Sequence, residues 1–320
     1  MSARAGSTRI FRSIEELPAG FGPAVVAIGN FDGVHLGHRE ILSAIAADAK
    51  ARNALAVAVT FEPHPEHFLR PERAPLLITP LEERLRLLSE TGVDAVVVLR
   101  FDAALAGLAP REFVEKILVA ALNTKSIHEG ENFRFGRGAA AGIDELCVFG
   151  REFGFEVNAH RSVDVRGLEV SSSAIRALVA AGDLRRARWM LGRPFAVLST
   201  QARGRGVGSK LLVPTVNLAE YNGLLPAIGV YVTRLRVVGR AFEAVTNVGN
   251  RPTFEGAGFG VETHILNFEV VELGENTPIE LEFLLRLRGE RKFPSPEELK
   301  AQIMKDVGRA RKYFRRGPVN

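Results

Sequence analysis

The stretch that decides the fold is VVAIGNFDGVHLGHR, which occupies residues 25–39. Its first four residues form a short apolar run, which is typical of a strand covered on both faces. Asn30, Asp32 and Gly33 then supply the side chains and the backbone freedom of a tight turn. Apolar residues recur at helical spacing after Arg39. The stretch therefore predicts a buried strand, a glycine turn and a helix, in that order.

Two histidines stand where this strand gives way to the helix. His35 and His38 flank Gly37 at the expected helix start. Free backbone N–H groups and the helix dipole favour an anion there, and a glycine lets a ligand approach the backbone. Either histidine alone would be an ordinary polar residue near a helix start. The combination with GNFDG resembles the signature of the adenylyl- and cytidylyltransferase superfamily, whose histidines stabilise a triphosphate during attack on its α-phosphorus.

The composition bounds the class of protein. A length of 320 residues suggests two domains, and 46% apolar with 25% charged residues is typical of a soluble globular protein. No apolar run approaches the ~20 residues that span a bilayer, so we expect no membrane association. The single cysteine, Cys147, and the lack of an apolar signal-like core in the first residues favour the cytoplasm. The net charge of +5 suits phosphorylated ligands and leaves nucleic-acid binding open.

Strands and helices alternate through the first half of the chain. We expect strands at 25–28, 55–61 and 95–99, and helices from 39, at 80–91 and at 110–121. This order predicts an α/β domain with a parallel, Rossmann-like sheet and helices on both of its faces. Ligands of such sheets bind beyond the carboxyl ends of the strands, which is where the two histidines fall.

Two further polar stretches follow in this half. GENFRFGRG occupies residues 130–138 and contains Asn132; by itself it is equally well a plain surface turn. SSSAIR, at residues 171–176, precedes an apolar-periodic helix, and by itself a serine run there is more often only an N-cap. Ser172, Ser173 and Arg176 would also suit a phosphate, because hydroxyls, free N–H groups and a guanidinium converge at a helix start.

The pattern changes near residue 188. Short β-rich runs, separated by glycine turns, occur at 195–200, 230–238, 242–248, 261–271 and 279–287. Such spacing predicts a small antiparallel β-barrel. A helix at 296–314 would close this second domain. We therefore expect domains at 1–187 and 188–320.

The second domain contains a glycine loop and an isolated acidic residue. GVGSK at 206–210 is not a P-loop, because that motif needs Gly-Lys-Ser/Thr leading into a helix. A flexible glycine loop over phosphates remains open. Glu262 lies in an alternating strand, where a lone glutamate usually faces solvent.

The ordered set of motifs resembles the family of bacterial bifunctional riboflavin kinase/FAD synthetases, from about residue 25 to residue 314. The motifs are GNFDGVHLGHR, TFEPHP, GENFRFG, VSSSAIR, GRPF, PTVN, LPAIGVY, GNRPTF, VETH and KFPS. The resemblance implies an FMN adenylyltransferase domain at 1–187 and a riboflavin kinase barrel at 188–320. The kinase would convert riboflavin to FMN, and the other domain would adenylylate FMN to FAD. Both would use ATP with Mg²⁺, and neither implies a nucleic-acid partner.

The resemblance also implies roles for individual residues. His35 and His38 would act on the ATP phosphates, and Glu262 would be the catalytic base of the kinase. Thr215 and Asn217 of PTVN would hold ATP and Mg²⁺. The remaining residues implied to bind the nucleotide are Gly29, Asn30, Phe31, Asn132, Ser172, Ser173, Arg176, Gly204 and Gly208.

The sequence departs from the family pattern in the loop before PTVN. Ser209 replaces an arginine, Leu212 a glycine and Val213 an aromatic residue. Losing the arginine removes a phosphate-pairing donor, which leaves open a chain with only the FMN adenylyltransferase activity. The residues also leave open a nucleotidyltransferase that acts on a different phosphate, and a basic protein that binds nucleic acid. The sequence does not indicate the oligomeric state.

Overall fold

The computed structural model describes residues 7–202, 215–219, 221–253, 256–266, 274 and 276–316. The chain divides into two compact units at Ser172/Ser173. The expected boundary between residues 187 and 188 stays a prediction. The part of the chain that the structure describes contains no helix with the length and apolar character that crossing a membrane requires.

The first unit is built on a parallel sheet of six strands. These are β1 (Arg9–Phe11), β2 (Ala24–Ile28), β3 (Leu55–Glu62), β4 (Ala95–Arg100), β5 (Thr124–Gly130) and β6 (Glu156–His160). Their order is β1-β4-β3-β2-β5-β6, and every neighbouring pair is parallel. The predicted parallel α/β architecture is confirmed, and β2 lies centrally between β3 and β5.

Helices connect these strands. They are α1 (Leu36–Arg52), α2 (Pro65–Leu69), α3 (Leu81–Ser89), α4 (Ala103–Ala106), α5 (Pro110–Phe113) and α6 (Ile143–Phe153). The predicted helix at 110–121 continues past α5 as a π-helix, Val114–Ala121. Single 3₁₀ turns lie at Ile14–Glu16, Pro71–Arg73 and Arg137–Ala139, and a short hairpin is formed by β7 (Asp164–Val165) and β8 (Leu168–Glu169).

Both faces of the sheet are covered by apolar side chains. Val25 and Ala27 of β2 pack in one core with residues of α1, such as Leu42, and with residues of α3. Val26 and Ile28 face the opposite core with residues of α5, the π-helix and α6. This two-sided burial explains why the β2 sequence is continuously apolar rather than alternating.

The second unit is mainly antiparallel β-structure. Its strands are β9 (Phe195–Thr200), β10 (Thr215–Asn217), β11 (Gly229–Val237), β12 (Arg240–Thr253), β13 (Gly256–Ile265) and β14 (Pro278–Arg288). Its helices are α7 (Ser172–Ala181), which begins at the junction, α8 (Leu184–Leu191) and α9 (Pro296–Arg316). The sheet order is β10-β13-β12-β11-β14-β9.

The two edge strands of this second sheet, β9 and β10, are joined by hydrogen bonds between their last residues and the residues that follow them. Gln201 and Leu218 form an antiparallel bridge. The Ala202 N–H donates to the Asn217 carbonyl at 2.9 Å, and the Ala219 N–H donates to the Thr200 carbonyl at 2.8 Å. The sheet therefore curls on itself as a small antiparallel barrel with a C-terminal helix, which confirms the predicted architecture.

Candidate active sites

The turn between β2 and α1 is held in an unusual backbone conformation. Phe31 has φ of 47° and Val34 φ of 37°, in the left-handed region that bulky residues rarely adopt. The Phe31 ring is buried and folds back towards Gly29, where an added Cβ would lie 3.3 Å from the ring. The predicted turn is therefore present, and it is tightly packed.

The two histidines of the turn lie against each other. His35 is the N-cap of α1, and its Nδ1 accepts a hydrogen bond from the His38 backbone N–H at 3.3 Å. The rings stack with centroids 3.6 Å apart. A Cβ on Gly37 would lie 3.3 Å from the His35 ring, so the glycine leaves room for this arrangement. The structure thus brings both predicted histidines to one helix N-terminus.

The surroundings of His38 favour its neutral form. Burial, and secondarily the neighbouring His35, lower the pKa of His38 well below its ordinary value. Its Nδ1 is inaccessible to solvent and has no hydrogen-bond partner among the described residues. A buried polar atom without a partner at a helix N-terminus is what an anionic ligand would satisfy.

Asp32 ties the turn to a second segment of the chain. Its carboxylate accepts hydrogen bonds from the Ile78 N–H at 3.0 Å and from the Thr79 N–H at 2.9 Å. The Thr79 hydroxyl accepts from the Gly33 N–H at 3.0 Å. Sequence reasoning treated Asp32 only as a turn former, whereas the structure makes it the fully buried anchor of the turn.

The serine motif begins at this anchor. The Ser172 hydroxyl donates to the Asp32 carbonyl at 2.9 Å, which places Ser172 at the turn. Ser173 is exposed and Arg176 half-buried; both lie in the first turns of α7 and belong to the second compact unit. Phosphate contacts of all three residues stay predictions.

Asn132 lies at the same edge of the sheet as the turn. β5 ends at Gly130 beside β2, so the loop that follows lies next to the turn that follows β2. Asn132 is exposed on the wall of a cleft of about 500 Å³. The cleft is lined by residues 131–134 and 142–145. The Glu131 N–H donates to the His160 carbonyl at 2.9 Å, which fixes the start of this loop to β6.

Sequence reasoning missed a buried carboxyl beneath this edge. Glu129 is 3% exposed, and its carboxyl accepts a hydrogen bond from the Ile28 N–H. Burial raises the pKa of Glu129 well above its ordinary value, against the opposing effect of that hydrogen bond. Glu129 therefore links the carboxyl ends of β5 and β2, and its burial favours the neutral form. The β5 sequence, TKSIHEG, contains other polar residues besides Glu129, so nothing in the sequence marks this glutamate as buried.

The predicted kinase residues meet on one face of the barrel. Asn217 pairs with Glu262 across β10 and β13, and Glu262 pairs with Asn247 of β12. Residues directly opposite on neighbouring strands share a face, so the three form a polar row. Thr215, two residues before Asn217 in β10, pairs with His264 of β13. The Thr215 side chain, Gly204, Gly208 and the substituted loop residues lie outside the described part of the chain.

The opposite face of these strands carries a buried hydroxyl chain. Thr233 and Thr246 are 2.7 Å apart between their Oγ1 atoms, and Thr246 is 2.9 Å from Thr263 in the same way. All three are fully buried. This row of hydroxyls joins β11, β12 and β13 inside the barrel. Because Glu262 is next to Thr263 in β13, its side chain lies on the outer face, where it is exposed.

Metal binding by a preformed acidic or histidine cluster is not seen. Within the described ranges, no three His, Cys, Asp or Glu side chains are grouped so that they could hold a metal ion. Asn217 and Glu262 do present oxygen atoms of the kind that Mg²⁺ prefers, on adjacent strands. This donor set fits an ion held mainly by nucleotide phosphates.

Comparisons with known proteins match both halves of the chain. A family model described as FAD synthetase matches residues 19–174, and one described as riboflavin kinase matches residues 191–314. A bifunctional riboflavin kinase/FMN adenylyltransferase of Escherichia coli is 35% identical over 91% of this chain and 92% of its own length. The same name belongs to a Pseudomonas fluorescens protein that is 35% identical over 95% of this chain and 97% of its own.

A solved structure shares the whole fold. It is a crystal structure described as a macrolide-efflux protein from Streptococcus pneumoniae, with a TM-score of 0.85 and 27% identity. The alignment covers 96% of this chain and 100% of that one. The likeness shows that the same pair of domains occurs together in another chain.

Proposed function

Because the chain belongs to the family of bifunctional riboflavin kinase/FMN adenylyltransferases, we propose that its two reactions take place at two separate sites, one at the turn between β2 and α1 and one at the polar row of the barrel. The enzyme phosphorylates riboflavin to FMN and adenylylates FMN to FAD. Matches to both family models disfavour a chain that keeps the adenylyltransferase activity alone. We propose that both reactions use ATP with Mg²⁺ and take place in the cytoplasm.

The stacked pair of His35 and His38 is the observation that supports the adenylyl-transfer site most strongly. An FMN phosphate oxygen attacks the α-phosphorus of ATP, and the bond to the β-phosphate oxygen breaks as pyrophosphate leaves. The phosphate nucleophile is already an anion, so the site needs donors rather than a base. His35, His38 and the free N–H groups of α1 supply those donors at the turn.

The other predicted nucleotide-binding residues fit the same chemistry. Gly29, Asn30 and Phe31 belong to the turn itself, and Asn132 is an amide donor at the adjacent strand end. Ser172, Ser173 and Arg176 supply hydroxyls and a guanidinium near the start of α7. We propose that Ser172 and the residues of the first unit bind ATP and the departing pyrophosphate, and that Ser173 and Arg176 bind phosphate at the start of α7.

The polar row of the barrel supports the kinase site. A ribityl alcohol is a poor nucleophile until its proton leaves, so a carboxylate within reach assists attack on the γ-phosphorus. We propose that Glu262 accepts this proton while ADP leaves. Asn217 and Thr215 would hold Mg²⁺ together with the ATP phosphates, and the ion would neutralise charge on the transferred group. The departures from the family pattern at Ser209, Leu212 and Val213 would affect the rate of the kinase reaction rather than its existence.

A time course tests the proposal for the whole enzyme. The purified chain is incubated with riboflavin, ATP and Mg²⁺, and the flavins are separated chromatographically at intervals. We expect FMN to appear first and FAD to follow, and omission of ATP to stop both. FAD from added FMN without any conversion of riboflavin would contradict the kinase assignment, and the reverse would contradict the adenylyltransferase assignment.

A further inference from the structure

Arg84 of α3 is a buried charge that the proposed sites do not use. Its side chain is 0% exposed, although arginine is almost never fully buried unless it is paired. Burial lowers the pKa of Arg84, and the nearby Glu62 and Asp32 oppose that effect. A charge buried this deeply in the first unit needs hydrogen-bond acceptors and an opposite charge beside it.

Those partners are the carboxyl ends of two neighbouring strands. The Nη1 atom donates to the Asn30 carbonyl at 3.1 Å, just past β2. The Nη2 atom donates to the Phe61 carbonyl of β3 at 3.0 Å and to the Glu62 carboxylate at 2.8 Å. One planar guanidinium thus joins the ends of β2 and β3, a geometry that a lysine cannot reproduce.

Residues 78–84 contact the turn at two points, one on each side of Phe31. Arg84 holds the carbonyl of Asn30, and residues 78–79 hold the carboxylate of Asp32. Phe31, with its left-handed backbone, lies between these two anchors. Such a conformation persists only where the surroundings fix it, and it is characteristic of functional turns.

We propose that Arg84 is a positioning residue for adenylyl transfer, which fixes the turn that presents His35 and His38 to the ATP phosphates. This inference rests on the proposed function of the turn. Arg84 acts through the turn rather than on the substrate. Displacing a reacting group by about 1 Å typically costs on the order of 10² in rate.

A purely structural role makes a different prediction. Removing one partner of a buried charge pair is destabilising, because the Glu62 carboxylate and the carbonyls of Asn30 and Phe61 lose their donor. A structural role alone would lower the unfolding midpoint and would reduce both reactions only as far as the chain unfolds. A positioning role lowers the adenylylation rate of the folded enzyme while the kinase rate is retained.

The test compares three full-length variants with the wild-type enzyme. Arg84→Met removes the charge and both carbonyl contacts, and Arg84→Lys keeps only the charge. Arg86→Met is the matched control, because Arg86 lies on the same helix, is half-exposed and pairs with Glu83 and Glu90. For each variant, kcat and KM are measured for FMN adenylylation and for riboflavin phosphorylation, together with the thermal unfolding midpoint.

We expect Arg84→Met to lower kcat for adenylylation about 100-fold and Arg84→Lys about tenfold, with the kinase within twofold of wild type. The unfolding midpoint of Arg84→Met should fall, so the rates are measured well below it, and Arg86→Met should keep both activities although Glu83 loses its partner. Unchanged adenylylation in folded Arg84→Met would overturn the inference. Where Arg84→Met loses the kinase as well, Arg84→Lys decides: full adenylylation by that variant contradicts the positioning role. His38→Ala is assayed alongside, because its full activity would instead overturn the proposed site.

Discussion

His35 and His38 lie with their rings nearly parallel, at an interplanar angle of 16° and a centroid distance of 3.6 Å, in the first turn of α1. The backbone N–H of one histidine binds the ring of the other, so the helix start itself sets the ring positions. A change that moves either ring should therefore affect the proposed phosphate site without disturbing the barrel.

Gly37→Ala should lower FMN adenylylation by about tenfold or more. The added Cβ would lie 3.3 Å from the His35 ring and force it to move, which misplaces a donor. Gly308→Ala is the control, because Gly308 of α9 is exposed with no atom within 4 Å of an added Cβ. That control should gain about 0.5–1 kcal/mol of stability and keep both activities. Equal adenylylation rates for Gly37→Ala and wild type would contradict the stacked-histidine site.

Glu129→Gln should become progressively more stable than the wild type as the pH rises. The folded-state pKa of Glu129 lies above its ordinary value of 4.5. Its contribution to stability is therefore fully present below pH 4.5 and is lost as the pH rises through the folded-state pKa. A glutamine keeps the acceptor for Ile28 without this loss, and the difference should grow by up to about 1.4 kcal/mol per pH unit.

Urea unfolding of Glu129→Gln and wild type from pH 4 to 8 checks this expectation. Glu131→Gln is the control, since Glu131 is exposed on the following loop. Its stability should run parallel to that of the wild type. A constant difference between Glu129→Gln and wild type across the range would mean that folding does not raise the pKa of Glu129.

Asn217→Ala should impair only the kinase. Removing one oxygen donor from the polar row is expected to lower riboflavin phosphorylation about 10²-fold and to raise the Mg²⁺ concentration that gives half-maximal rate. FMN adenylylation in the same preparation is the internal control and should not change. An unchanged Mg²⁺ requirement would remove Asn217 from the proposed metal site.

The sequence predicted the elements around the site better than the contacts that hold them. The apolar run of β2 and the HLGH turn identified the strand, the helix and both histidines. The first strand, β1, was not predicted, because three residues within the lead-in carry no measurable periodicity. Its pairing with β4 is a tertiary contact that only the folded sheet reveals.

The buried charges were missed for a related reason. Arg84 occupies the position between Leu81 and Leu85 on the buried side of α3, so the i, i+3, i+4 pattern contained the signal. A charged residue at such a position is ordinarily interpreted as polar surface. Its partners, the carbonyls of Asn30 and Phe61, are backbone atoms on other strands, and no spacing within α3 indicates them.

The division of labour between the two sites is tested most directly by measuring both half-reactions in His38→Ala and Glu262→Gln. His38→Ala should still convert riboflavin to FMN and should form FAD at least about 10²-fold more slowly. Glu262→Gln should fail to phosphorylate riboflavin and should convert added FMN to FAD at the wild-type rate. Loss of both steps in both folded variants would contradict two separate sites.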